Sequence, residues 1–234
     1  MEVYVQKTIL KIINLLYICE VVLNFIKKRY FLFKKMASII WSSHTFVEPE
    51  KKIKSPMQLD SWTKSKAYGE IMSFFTKLQA AIESKPISAT PLTPAYDPYT
   101  KFFKALEKLL EDNPPVQQPM RFGNKAFKAW HDNLGPIIDQ FLGQILPENI
   151  KGASIELRVY LLESFGSEVR IDYGTGHELT FAVFLLCLCK IGLLDMENDA
   201  ESIVRNIFYK YIAIMRKIQM LYMLEPAGSH GVWG

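Results

Sequence analysis

Apolar residues recur at three- and four-residue intervals through most of this chain, and proline or glycine closes each run. That spacing lines one face of a helix and no face of a strand. "SWTKSKAYGEIMSFFTKLQAAIES" (Ser61–Ser84), "FFKALEKLLED" (Phe102–Asp112) and "NKAFKAWHDNLGPIIDQFLGQIL" all carry it, the last with a break or kink at Gly135-Pro136. So do "GASIELRVYLLESFG" (Gly152–Gly166) and the segment from Ser202 to Leu224. No period-2 alternation lies between turn signals, and no internal repeat appears. The expected fold is all-α. Between the first two runs, "KPISATPLTPAYDPYTK" (85–101) holds four prolines, a density that neither a helix interior nor a central strand accepts. It reads as a linker or folded-over loop.

One stretch, "RIDYGTGHELTF" (Arg170–Phe181), invites three readings. A dinucleotide-binding G-x-G-x-x-G needs a third glycine, and Leu179 stands there. A zinc-peptidase H-E-x-x-H needs a second histidine one helical turn on, and Phe181 takes that place. The third reading is a helix start. Thr175 and Glu178 have the T-x-x-E spacing of a capping box ahead of "LTFAVFLLCLCKIGLL", and Gly192 follows Lys190 as a helix stop. A helix start of this kind also presents free N–H groups at Thr175 and Gly176, where an anion such as phosphate binds readily. Arg170 could add a bidentate contact. A cap and an anion site can share one helix end.

The charge balance narrows the classes of partner. Residues 1–36 hold seven Lys/Arg against two acids, while the whole chain has a net charge of +4, so the remainder is slightly negative. It lacks the basic footprint of a nucleic-acid binder. The N-terminal "TILKIINLLYICEVVLNFIKKRYFLFKK" is apolar but broken by Lys11, Asn14 and Glu20, and so falls short of the roughly 20-residue apolar span of a membrane helix. No small-residue cleavage site follows it. Residues 1–45 are expected to be an extension outside the fold, and 46–234 the folded domain. With apolar residues at 49% of the chain, a substantial core is expected. Cys19, Cys187 and Cys189 do not make a disulfide framework, and the last two, two apart on a helix, cannot share a metal. They read as small core residues.

Two further constellations stand out. "PPVQQPMRFGNKAFKAW" reads as a loop, a glycine turn at Gly123, and a helix whose Phe127 and Trp130 face inward. In "EPAGSHGVWG" (Glu225–Gly234), Gly228, Gly231 and Gly234 alternate with polar and aromatic residues, including Trp233. That gives a backbone able to approach a ligand closely. Structural loop and binding loop are equally compatible with this chemistry.

Together these two stretches, "RIDYGTGHELTFAVFLLCLCKIG" and the earlier "KKIKSPMQLDSWTKSKAY" closely resemble the phosphotyrosyl phosphatase activator family. These are activators of the type-2A serine/threonine phosphatase, also described as peptidyl-prolyl cis-trans isomerases. The likeness runs in order from about residue 46 to the C-terminus. It implies an all-helical fold of core, lid and linker parts around a groove, with ATP and Mg2+ as cofactors. The implied partners are the phosphatase catalytic subunit, its scaffold and proline-containing peptide segments, met in the cytoplasm and nucleus. By motif, Arg170, Thr175 and Gly176 match ATP-contacting positions and Gly231 a position near the nucleotide-associated magnesium. Gly228 and Trp233 fall at the peptide groove and phosphatase contact. In the family an aspartate-containing segment and further helices follow "GVWG"; here the sequence ends at Gly234, so part of the pocket is expected to be missing and the Glu225–Gly234 loop loosely held. The resemblance leaves two functions open, a prolyl isomerase and a non-catalytic phosphatase-binding chaperone, together with an inactive truncated form.

Overall fold

In a computed structural model, residues 41, 43–85 and 96–228 are described. The first helices are α1 (Pro56–Thr63), where Ser55 caps by accepting the Gln58 N–H, and α2 (Lys66–Ile82), where Ser65 accepts from Tyr68. The single run expected from Ser61 is therefore two helices. The second serine offers its hydroxyl to the backbone, and the chain restarts there.

Helix α3 spans Asp97–Asp112 and so begins inside the stretch expected to be linker. Pro98 sits in its first turn, where the missing N–H would have had no intrahelical partner anyway. Tyr99, Phe102, Phe103, Leu106 and Leu110 form its buried stripe, while the Asp97–Lys101 and Lys108–Asp112 pairs occupy the wet side. Helices α4 (Ala126–Asp132) and α5 (Leu134–Ile145) meet at Asn133, two residues ahead of the Gly135-Pro136 pair. A 3₁₀ turn (Glu148–Ala153) leads into α6 (Ser154–Glu163).

Helix α7 (Thr175–Lys190) is apolar on several faces and lies against both α6 and α2. It ends as the sequence suggests. Gly192 adopts φ +78°, its N–H reaches Cys189 O, and the Leu193 N–H reaches Leu188 O. These are the two bonds of a Schellman stop. Helix α8 (Met196–Ser202) runs through a π-helical turn (Ile203–Phe208) into α9 (Tyr209–Tyr222).

The core is a chain of helix contacts, with α3 on α5 and α9, α5 on α6, α6 on α7, and α2 on α8. Trp130, Phe127, Phe165, Tyr211 and Tyr222 are fully buried at its centre. The expectation of an all-α fold holds. Two two-residue strands are the exception, β1 (Asp172–Tyr173) and β2 (Glu225–Pro226), paired in parallel. They correct the expectation of a loose C-terminal loop for its first residues, because Glu225 donates to Ile171 O and Ala227 to Tyr173 O. No described helix is long and apolar enough to cross a membrane. Of the 1–45 extension only residues 41 and 43–45 are described, and there Trp41 packs on the core and donates its indole N–H to Lys190 O at 2.8 Å.

Candidate functional site

The stretch that raised three readings is built around a tight loop. Ser167 donates its N–H to Asp172 O, Ile171 donates back to Ser167 O, and the Ser167 hydroxyl accepts from the Arg170 N–H. At its base Gly166 has φ +100°, and a Cβ there would lie 2.8 Å from the Asp172 carbonyl oxygen. Only glycine fits. Ile171 stands at φ +52°, a left-handed conformation that a β-branched side chain rarely adopts. Met223, just before β2, is also left-handed. Strained residues therefore flank the strand pair on both sides, a pattern associated with sites whose geometry is over-determined.

Out of this loop the chain passes through β1 into α7. Gly174 is fully extended and forms the N-cap, and a Cβ on it would meet Ala227 at 3.1 Å. The capping box is absent. Thr175 is already helical, no side chain caps the helix, and Glu178 accepts a 3.3 Å bond from the Tyr173 hydroxyl. The cause is tertiary. Pairing with β2 holds the chain extended through Gly174, so the helix begins one residue too early for Thr175 to cap it. What remains is an uncapped helix start with Thr175 and Gly176 exposed, and open space where a Gly176 side chain would be.

Arg170 is fixed beside it. Its Nε and Nη2 donate to the two carboxylate oxygens of Asp172 at 2.6 and 3.0 Å, and these bonds hold the guanidinium above even its usual high pKa. The Arg170 side chain stays 61% exposed, while that of Asp172 is 11% exposed. His177, on the first turn of α7, is clamped between loop and helix. Its Nδ1 donates to Glu163 O at 2.6 Å, its ring stacks on Tyr173, and its Nε2 lies 3.9 Å from Asp172. Behind them the Tyr173 and Tyr211 hydroxyls are 3.0 Å apart, and Tyr211 donates to Ser164 O. Burial pushes both phenols well above the ordinary tyrosine pKa.

The strand pair also brings in the C-terminal stretch. Gly228, at φ +112° with open space around it, follows Ala227 directly, and Ala227 packs on Gly174. Arg170, Thr175, Gly176 and Gly228 therefore belong to one end of the molecule, though Gly176 and Gly228 stand 52 positions apart in the sequence. Gly231 and Trp233 lie outside the described residues. The "PPVQQPMRFGNK" loop joins the same end. Gly123 and Asn124 donate to Met223 O and Tyr222 O, and the Asn124 side chain binds both Val116 N–H and Val116 O.

Periodicity could not find Gly174, Ile171 or Ala227, since each acts through a neighbour that is distant in sequence or through its backbone angles, nor Asp172, whose side-chain bond to Arg170 two residues away follows no helical or strand spacing. Only Gly166 and Asp172 left a trace, as a glycine and a carboxylate close to Arg170.

Chemically, the arrangement suits an anion. An exposed helix N-terminus and a fixed guanidinium both favour phosphate oxygens. The described residues contain no group of three or more potential metal ligands. The Cys187 and Cys189 thiols, raised by burial to about 11 and about 12, are poor nucleophiles.

A helical scaffold carrying an anion-competent helix terminus beside a strand-clamped loop is the class that this geometry defines. Residues 49–234 match the family described as phosphotyrosyl phosphate activator (PTPA) protein, and the chain belongs to that family. Among relatives, it is 40% identical to the serine/threonine-protein phosphatase 2A activator of Drosophila melanogaster, over 78% of this chain and 46% of that protein. It is 35% identical to the probable serine/threonine-protein phosphatase 2A activator 1 of Dictyostelium discoideum, over 82% of this chain and 59% of the relative. The crystal structure of the PP2A phosphatase activator Ypa1 PTPA1 superposes with a TM-score of 0.73 at 33% identity, covering 81% of this chain and 61% of that one. The chain thus spans roughly half the length of the curated relatives it matches.

Proposed function

We propose that this chain binds the phosphates of ATP, with Mg2+, at the N-terminus of α7 and acts as an activator of type-2A serine/threonine phosphatase. The observation that carries the reading is the Arg170 fork, held beside an uncapped helix start in a family whose relatives are named as phosphatase 2A activators. In this reading Arg170 supplies charge and planar hydrogen bonding, while Thr175 and Gly176 supply backbone N–H groups. The glycine leaves room for a phosphate to approach. Gly231 and Trp233 complete the proposal as the magnesium-proximal and partner-contact residues, with Gly228 at the peptide groove.

The activity proposed is peptidyl-prolyl isomerisation on a segment of the phosphatase catalytic subunit. Rotation about an X–Pro bond is slow because amide resonance resists it, with a barrier of roughly 18–20 kcal/mol for peptide bonds in general. A site that excludes water and holds the bond twisted lowers that barrier without a nucleophile. A second reading, docking that remodels the phosphatase without isomerisation, uses the same surfaces.

Arg170→Ala is the test. Removing a charge-assisted contact worth about 1.5–3 kcal/mol should weaken ATP binding at least tenfold, with the far-ultraviolet spectrum unchanged. Equal affinity in the variant would remove Arg170 from the site. Isomerisation of a proline peptide, followed beside reactivation of metal-depleted phosphatase, separates the two readings. Reactivation without isomerisation selects the docking protein.

A further inference from the structure

We infer that Asp172 is a positioning residue, which presets Arg170 for the phosphate groups of the nucleotide; this inference rests on the reading above. The Arg170–Asp172 pair is bidentate, at 2.6 and 3.0 Å, yet it joins residues two apart in one loop. The loop is already closed by its own backbone through Ser167. One partner of the pair is buried and the other, the guanidinium, is 61% exposed, so ordering a long side chain from solvent offsets part of the attraction. What the pair does achieve is orientation. Two of the five guanidinium donors are committed to Asp172, so the remaining donors present one fixed edge.

Asp172 is itself held from three sides. Its backbone is in β1 and accepts from Ser167, and its carbonyl lies against Gly166, where no side chain could intrude. Its carboxylate faces Arg170 and, at 3.9 Å, His177 Nε2. A carbonyl can only accept, so the 2.6 Å contact from His177 to Glu163 O places a proton on Nδ1 and fixes that ring. Glu163, Glu168, Glu178 and His131 are further titratable groups of this end. Glu168 lies 3.7 Å from His131, and Glu178 accepts from Tyr173. None of these carboxylates bonds the guanidinium in the way Asp172 does. His177 is on the first turn of α7 and its Nε2 lies 3.9 Å from Asp172, so one carboxylate stands between the guanidinium and the helix start that offers the N–H groups.

The sign of one substitution decides the matter. Asp172→Asn removes a negative charge beside the proposed phosphate site. If Asp172 matters only through its charge, anions should then bind more tightly. If it positions Arg170, they should bind more weakly despite the more favourable charge. The experiment is calorimetric titration of the 234-residue chain with ATP, and separately with inorganic tripolyphosphate, at low and high salt. Wild type, R170A, R170K, D172N and D172E are compared, and thermal midpoints are measured in parallel. The expected result is a loss of about tenfold for D172N with both ligands. D172E should recover part of that loss, and R170K should fall with R170A because an ammonium cannot reproduce the fork. Unchanged or tighter binding in D172N, with R170A still weakened, overturns the positioning role and leaves the phosphate site standing. Unchanged binding in R170A removes the site and this inference with it. Should D172N fail to fold, R170K decides. Binding equal to wild type overturns the proposal, and a loss matching R170A supports it.

Discussion

Tyr211 shows how one hydroxyl can hold a site to a core. Its ring stacks on Phe181 with centroids 3.8 Å apart, and its hydroxyl links the Ser164 carbonyl to Tyr173 and so to β1. Tyr211→Phe keeps the stack but leaves buried partners short of a bond. The expected cost is about 1–3 kcal/mol, read as a fall in thermal midpoint of roughly 2–4 °C per kcal/mol for a chain of this size. His131 makes a second prediction at this scale. It is buried against Phe127, and desolvation outweighs the attraction of Glu168, so its pKa lies below the usual 6.5. The unfolded chain therefore binds the proton first. Stability from this group is complete above about pH 6.5 and declines as pH falls below that value. Urea titrations should show His131→Gln flattening that acid-side decline, and an unchanged slope would assign it to other groups.

At the scale of elements, the two ends of α7 behave differently. The C-terminal stop is local, because Gly192 at φ +78° needs only a residue that tolerates the left-handed region. Gly192→Ala should cost about 1 kcal/mol in equilibrium unfolding without touching nucleotide affinity. The N-terminal start is tertiary, because β2 holds Gly174 extended and takes the capping role away from Thr175. Gly166→Ala would set a methyl 2.8 Å from a backbone oxygen in the loop that carries Arg170. It should therefore lower both stability and ATP affinity. Loss of stability alone would show that the loop's geometry does not matter to the site.

Across the whole molecule, the buried cluster runs from Phe74 to Leu224, and the charge excess of the chain sits ahead of it in residues 1–36. Deleting residues 1–35 should leave the thermal midpoint within about a degree of the full chain, and a larger fall would show that the extension joins the fold. The helical class, the inward faces of α3 and α4, the Gly192 stop and the family likeness were all legible in the amino-acid order. Each depends on spacing within one turn or on the backbone freedom of one residue, which are properties of neighbours along the chain. The split of α1 from α2 and the start of α3 at Asp97 were less legible, because a cap or a first-turn proline reads equally well as a break. The lost capping box, the strained Ile171 and Met223, and the clamp of Asp172 on Arg170 were decided by tertiary structure. So was the meeting of Gly228 with the α7 terminus. Parallel pairing of β1 with β2 brings together backbone groups that are 53 residues apart, and no periodicity along the chain encodes a contact at that separation.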